Sequence, residues 1–225
     1  MTQAQDSLLA IHNSVNVMNE RIVQDLYEKG WSVQPHYLGI GLQETLRQRL
    51  DGLEAQNALT KAGIGRHDNN KIAPNIRKDL TFWLDHEQAQ DAVYLNLMEI
   101  LRLALNKGLF LGLFEYEAHY AVYPAGGFYK KHIDALKGGK NRIVSTVCYL
   151  NDADWTGADG GKLNLYDMER TDELMHVVEP EGATLVVFLS EEIPHEVTPA
   201  HRTRRSIAGW FRCNASSADR PDPLV

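Results

Sequence analysis

The hydrophobic positions along the chain change period near residue 109. Before that point the spacing is helical. Leu8, Leu9, Ile11, Val15 and Val17 share a stripe that Ile22, Val23, Leu26 and Tyr27 continue, and Gly30 stops it. Leu42, Leu46, Leu50 and Leu53 recur at spacings of four, four and three and predict a second helix. A third is expected from Glu87 to Lys107. Val93, Leu97, Ile100, Leu101 and Ala104 form its apolar face, Asp85 is its N-cap and Gly108 ends it. Between the second and third helices, Gly63 to Leu84 is irregular and charged, the character of a functional or mobile loop.

From Leu109 onward the period is two. FEYEAHYAVY alternates, and NRIVSTVCYL, KLNLYD, HVVEP, ATLVVFL and RSIAGWFRC are rich in β-branched and aromatic residues. Glycine- and proline-containing turns separate them, a spacing that predicts a sandwich or barrel. One α+β, mainly β domain is therefore expected over residues 1–213. Its residues 1–108 supply helices and a loop, and 109–213 supply the β-region. Residues 214–225 are expected to form a polar, flexible tail.

Composition narrows the functional classes. A net charge of −7 leaves no excess of cations to displace counterions from phosphate, so nucleic acid is not expected as a partner. No apolar run approaches the roughly 20 residues of a membrane span. The start, MTQAQDSLLA, lacks a basic region and an apolar signal core, and Cys148 and Cys213 are too few for a disulfide scaffold. These features predict a cytoplasmic, reduced protein, and the acidic balance is compatible with a monomer.

Several motifs fail on inspection. Gly157 to Lys162 is one residue short of a phosphate loop, and Leu163 stands where Ser or Thr would hold magnesium. Asp152 to Gly157 opens like a calcium loop, but Leu163 cannot supply the closing carboxylate. One constellation survives. His132-Ile133-Asp134 on an extended strand places imidazole and carboxylate on one face, and His195 can supply a third corner. Two histidines and one carboxylate on one face are the ligand set of non-haem Fe(II) oxygenases. Nine residues after His195, Arg204 opens a new strand. Its fork suits the far carboxylate of a dicarboxylate co-substrate. Alternation turns Arg204, Ser206, Ala208 and Trp210 to one side, and a bulge would put Arg205 there instead.

These residues carry a resemblance. Ile76-Arg-Lys-Asp79-Leu-Thr-Phe-Trp83, Tyr123-Pro, Tyr129-Lys-Lys-His132-Ile-Asp134, Arg142 through Asn151, Gly160-Gly161, and Pro194-His195 through Arg204 to Trp210 stand in the order seen in Fe(II)/2-oxoglutarate prolyl hydroxylases. The chain resembles the hypoxia-inducible-factor prolyl hydroxylases and their bacterial relatives. The resemblance implies a double-stranded β-helix, a cupin-like jelly roll braced by the N-terminal helices. It implies iron at His132, Asp134 and His195, and 2-oxoglutarate at Arg204 and Tyr149 with Tyr123 in the same pocket. Trp210, Arg142, Arg77, Asp79 and Trp83 match positions near the substrate, and the loop around residues 63–79 matches one that covers it. The implied reaction consumes O2 and 2-oxoglutarate and hydroxylates C4 of a prolyl residue, releasing succinate and CO2. Ascorbate is the implied reductant and elongation factor Tu the implied protein substrate. Two other readings stay open: a dioxygenase acting on a small molecule or free amino acid, and a non-catalytic metal-binding β-barrel module.

Overall fold

The computed structural model describes residues 3–63, 73, 75–134, 141–170 and 172–214, residues 3–12 by their backbone alone. Three helices precede the main β-region: α1 (Gln3–Lys29), α2 (Ile40–Ala55) and α3 (Ala89–Leu109). Among them lie three short strands, β1 (Trp31–Gln34), β2 (Thr60–Lys61) and β3 (Leu80–Trp83). Eight more follow: β4 (Leu113–Tyr123), β5 (Tyr129–His132), β6 (Arg142–Tyr149), β7 (Leu163–Tyr166), β8 (Leu174–Val178), β9 (Leu185–Leu189), β10 (His195–Val197) and β11 (Arg204–Cys213).

The strands form two antiparallel sheets. The larger has the order β1-β9-β6-β11-β4-β3-β2, and the smaller has β5-β10-β7-β8. Strand alternation divides the interior between two cores. On β4, Ala118, Tyr120 and Val122 face the helices, where they join Ile22, Leu50, Met98 and Leu101. Ala121 and Tyr123 face the smaller sheet and meet Leu163, Leu165 and Val197. On β9, Leu185 and Val187 take the helix side and Val186 and Phe188 the side between the sheets. The helices thus close one face of the large sheet, and the other face is left for the site.

The helical reading of the first half needs correction in its strands and in the face and ends of its third helix. It omits β1, β2 and β3, all of which extend the large sheet. It also rotates the third helix. The buried stripe of α3 is Asp91, Tyr94, Leu95, Met98, Leu101 and Leu105, whereas Val93 is 53% exposed. The cause is a polar anchor inside the stripe. Asp91 is buried because it accepts the Tyr120 hydroxyl at 2.7 Å, which turns that side of the helix inward. Gln88, not Asp85, is the N-cap, and Gly108 lies inside α3 rather than ending it. A Cβ on Gly108 would sit 2.4 Å from Val23, so that glycine serves the close approach of α1 and α3.

Candidate active site

The site begins with a register. β5 and β10 pair so that His132 lies directly opposite His195. In each ring Nδ1 faces a main-chain carbonyl, that of Lys130 at 2.7 Å for His132 and that of Ile193 at 3.0 Å for His195. A carbonyl can only accept, so Nδ1 carries the proton and each Nε2 keeps its lone pair. Those two Nε2 atoms lie 3.4 and 3.6 Å from the carboxylate oxygens of Asp134. All three ligand atoms fall within 4.8 Å of one another. Asp134 itself is not on the strand, as the His-x-Asp reading required. β5 ends at His132, and Asp134 occupies the bend beyond. Hydrogen bonds from Ser145 (2.7 Å) and from the Trp210 indole N–H (2.9 Å) hold its carboxylate there.

Electrostatics set the same protonation states. Burial opposes ionisation of Asp134, but His195, His132 and the Ser145 hydroxyl outweigh it and hold the carboxyl well below the usual range. Burial pushes His195 down to about 4, against the pull of Asp134. An ionised carboxylate and a neutral imidazole are the forms that ligate a metal.

Arg204 enters the space between the sheets from the start of β11 and is 1% exposed. Its Nε donates to the Gly161 carbonyl at 2.8 Å and its Nη1 to Ser206 Oγ at 3.1 Å. Its Nη2 is buried and has no partner among the described residues, and neither has the hydroxyl of fully buried Tyr149. The guanidinium stands 4.9 Å from the Tyr123 ring and 5.0 Å from the Tyr149 ring. Burial raises the Tyr149 hydroxyl to about 12, with Arg204 opposing, so it remains a donor at neutral pH. Two buried donors without acceptors, one of them cationic, fit an anionic group.

A cavity of 260 Å³ joins His132, Asp134 and His195 to Arg204, with Tyr123, Ala208 and Trp210 along its wall. Arg77, Arg142 and Trp83 also line it. Arg142 lies 3.7 Å over the Trp210 ring and pairs with Glu117 at 2.7 Å. Arg77 covers the Tyr129 ring at 4.5 Å and donates to Asp79 through Nε and Nη2, at 2.7 and 2.5 Å. Asp79 does not reach the cavity. Its buried carboxylate is occupied by Arg77, so it orients that residue rather than meeting a substrate. The pair is buried rather than a surface interaction. Much of the expected covering loop, residues 64–72 and 74, lies outside the described residues.

Sequence reasoning misses several contributors. Ser145 and Ser190 are common residue types with no distinguishing spacing, and Ser206 and Gly161, though placed by alternation and by a quoted motif, have no partner legible there. Their roles come from strands that meet only in the fold. Tyr129, stacked on His132 with ring centres 3.6 Å apart, stands in a quoted motif without a role. His119 reads as an ordinary polar residue, yet it is buried between Trp83 and Trp210, 5.2 and 5.5 Å from their rings.

Comparisons with known proteins agree with this geometry. The profile of the 2OG-Fe(II) oxygenase superfamily matches residues 118–212. A crystal structure of a Pseudomonas putida prolyl-4-hydroxylase is 41% identical. It superposes with a TM-score of 0.78 over 88% of this chain and 100% of that one. A Trichoplax adhaerens prolyl hydroxylase, solved with a hypoxia-inducible-factor peptide fragment, shares the fold at a TM-score of 0.79 and 24% identity, covering 94% of each chain. The human prolyl hydroxylase EGLN3 is 28% identical over 85% of this chain and 82% of its own length. The hypoxia-inducible-factor prolyl hydroxylase of Caenorhabditis elegans is 27% identical over 90% of this chain, which spans 30% of that longer protein.

A double-stranded β-helix with a His-Asp-His face defines the class, a 2-oxoglutarate-dependent dioxygenase. The chain belongs to the prolyl-4-hydroxylase type of that superfamily. Fe(II) and 2-oxoglutarate are the cofactors this membership and the triad imply. The residues present fit them: the donor set suits ferrous iron, and the unpartnered Arg204 and Tyr149 donors suit a carboxylate. Among the described residues no helix is long and apolar enough to cross a membrane.

Proposed function

We propose that this chain hydroxylates C4 of a prolyl residue in a protein substrate, and that elongation factor Tu is the substrate to test first. The observation that carries the reading is that one cavity joins the metal-competent face to the Arg204 donor unpartnered among the described residues. The 41% identity to a bacterial prolyl-4-hydroxylase supports the substrate class. In this reading His132, Asp134 and His195 hold iron on one face and leave the opposite positions open. Arg204 and Tyr149 hold the distal carboxylate of 2-oxoglutarate, and Tyr123 closes the pocket beside them. Bound there, iron and 2-oxoglutarate supply the oxidising power for hydroxylation, with succinate and CO2 as co-products.

The chain's own residues bind and orient. Two neutral imidazoles and one carboxylate offset one of the two charges of ferrous iron and leave the other for an anionic co-substrate. Buried Arg204 aligns the co-substrate along the cavity. Arg142, Trp210, Arg77 and Trp83, which line the same cavity, receive the peptide, and the tryptophan rings suit a prolyl ring and help exclude water.

The test incubates iron-loaded protein with 2-oxoglutarate, air and elongation factor Tu, then maps added oxygen by tandem mass spectrometry. One oxygen on a proline, absent with Asp134→Ala, is expected. Turnover of a free amino acid or small metabolite, with no oxygen added to any protein, would overturn the protein-substrate reading.

A further inference from the structure

Asp134 has two carboxylate oxygens with different surroundings. Oδ2 accepts hydrogen bonds from Ser145 Oγ at 2.7 Å and from Trp210 Nε1 at 2.9 Å. Both donors belong to the large sheet, where Ser145 on β6 and Trp210 on β11 are direct cross-strand partners. Ser145 is 1% exposed and its oxygen lies 2.8 Å from Ser190 Oγ, itself fully buried.

The proton order in this chain is determined. A serine hydroxyl has one proton and the indole N–H can only donate. Ser145 spends its proton on Asp134, so Ser190 must donate to Ser145. The sequence Ser190 to Ser145 to Asp134 therefore runs one way, and each bond polarises the next. Oδ2 therefore accepts two hydrogen bonds. Oδ1 lies 3.4 Å from His132 Nε2 and takes neither of these bonds, whereas Oδ2, 3.6 Å from His195 Nε2, carries both.

We infer that Ser145, backed by Ser190 and paired with Trp210, is a positioning residue that restricts Asp134 to binding the metal through Oδ1 alone. A carboxylate free to chelate through both oxygens would occupy a second coordination position, one that the co-substrates need. The inference rests on the metal-site reading above and adds residues and a purpose to it. Trp210 acquires a role at the metal besides its place in the cavity wall.

Cobalt(II) is the probe. Its affinity is read by chelator competition, and its visible d–d bands report coordination number without turnover. The wild-type chain should bind cobalt with the weak bands of a six-coordinate ion. Ser145→Ala should bind it about 10–100-fold more weakly, the usual effect of removing an outer partner of a metal ligand. Its bands should also change as Oδ2 is released. Ser145→Thr, which restores the hydroxyl, should recover both readings, and Ser190→Ala should fall between. Trp210→Phe keeps the ring, loses the N–H, and should shift the bands in the same direction as Ser145→Ala. Equal affinity and identical bands in wild type and Ser145→Ala would overturn the inference with the metal site intact. Failure of wild type to bind cobalt would overturn the metal-site reading, and this inference with it. A folding defect in Ser145→Ala is detected by circular dichroism, and the threonine and phenylalanine variants then decide.

Discussion

Arg204 and Arg205 are adjacent on β11 and face opposite sides of the large sheet. Arg204 is buried between the sheets with one nitrogen unpartnered among the described residues. Arg205 reaches α2, where it donates to Glu54 at 2.8 Å. The unbroken pairing of β11 with β4 through Arg204↔Tyr123 and Arg205↔Val122 fixes this register. No bulge there exchanges the two. Arg204→Ala should therefore raise the 2-oxoglutarate requirement by two orders of magnitude or more, the scale of roughly 3–5 kcal/mol for removing one partner of a buried charge pair. Arg205→Ala should lose at most about 1 kcal/mol of stability and leave that requirement unchanged. Co-substrate titrations of the two variants make the comparison.

Gly161 has a φ of +63°, and a Cβ there would lie 2.9 Å from Arg204 Cδ. Its carbonyl also receives Arg204 Nε. Gly161→Ala should displace the arginine and raise the apparent KM for 2-oxoglutarate with metal affinity retained. An unchanged KM would show that Arg204 does not depend on this glycine.

Asp79 and Arg77 form a buried, two-pronged ion pair beside the Tyr129 ring. Asp79→Ala leaves a buried guanidinium without its counter-charge and should destabilise the fold by about 3–5 kcal/mol. The double variant Asp79→Leu/Arg77→Met should recover much of that loss. Denaturant unfolding measures both, and full additivity of the two single changes would contradict the pairing.

His119 links stability to pH. Burial, with Arg77 adding to it, lowers its pKa from 6.5 to about 4 in the folded protein. The unfolded chain therefore takes up a proton between about pH 6.5 and 4 that the folded chain refuses. Stability should fall as pH drops through that window, and His195, lowered to about 4 in the same way, adds to the loss. His119→Gln should flatten part of the slope in thermal melts between pH 7 and 4.5. An unaltered slope would mean that His119 protonates without cost.

Much of the site is legible before folding because its residues are chemically scarce. His132, Asp134, His195 and Arg204 stand out as donors, and period-two alternation correctly sends Arg204, Ser206, Ala208 and Trp210 to one face. The position of Asp134 is not legible, because hydrogen bonds from two distant strands decide it. β1, β2 and β3 are at most four residues each, too short to show a period. Their place in the sheet is set by partners at Phe188, Thr81 and Tyr120. The buried face of α3 eludes the hydrophobic pattern because it includes Asp91, a charged residue made tolerable by Tyr120.

The most direct test of the central claim is an anaerobic titration of Fe(II)-loaded protein with 2-oxoglutarate, followed by visible spectroscopy. A metal-to-ligand charge-transfer band should appear, saturate at one equivalent, and require far more co-substrate in Arg204→Ala. No band in folded, iron-loaded protein would contradict the assignment of His132, Asp134, His195 and Arg204 to one shared site.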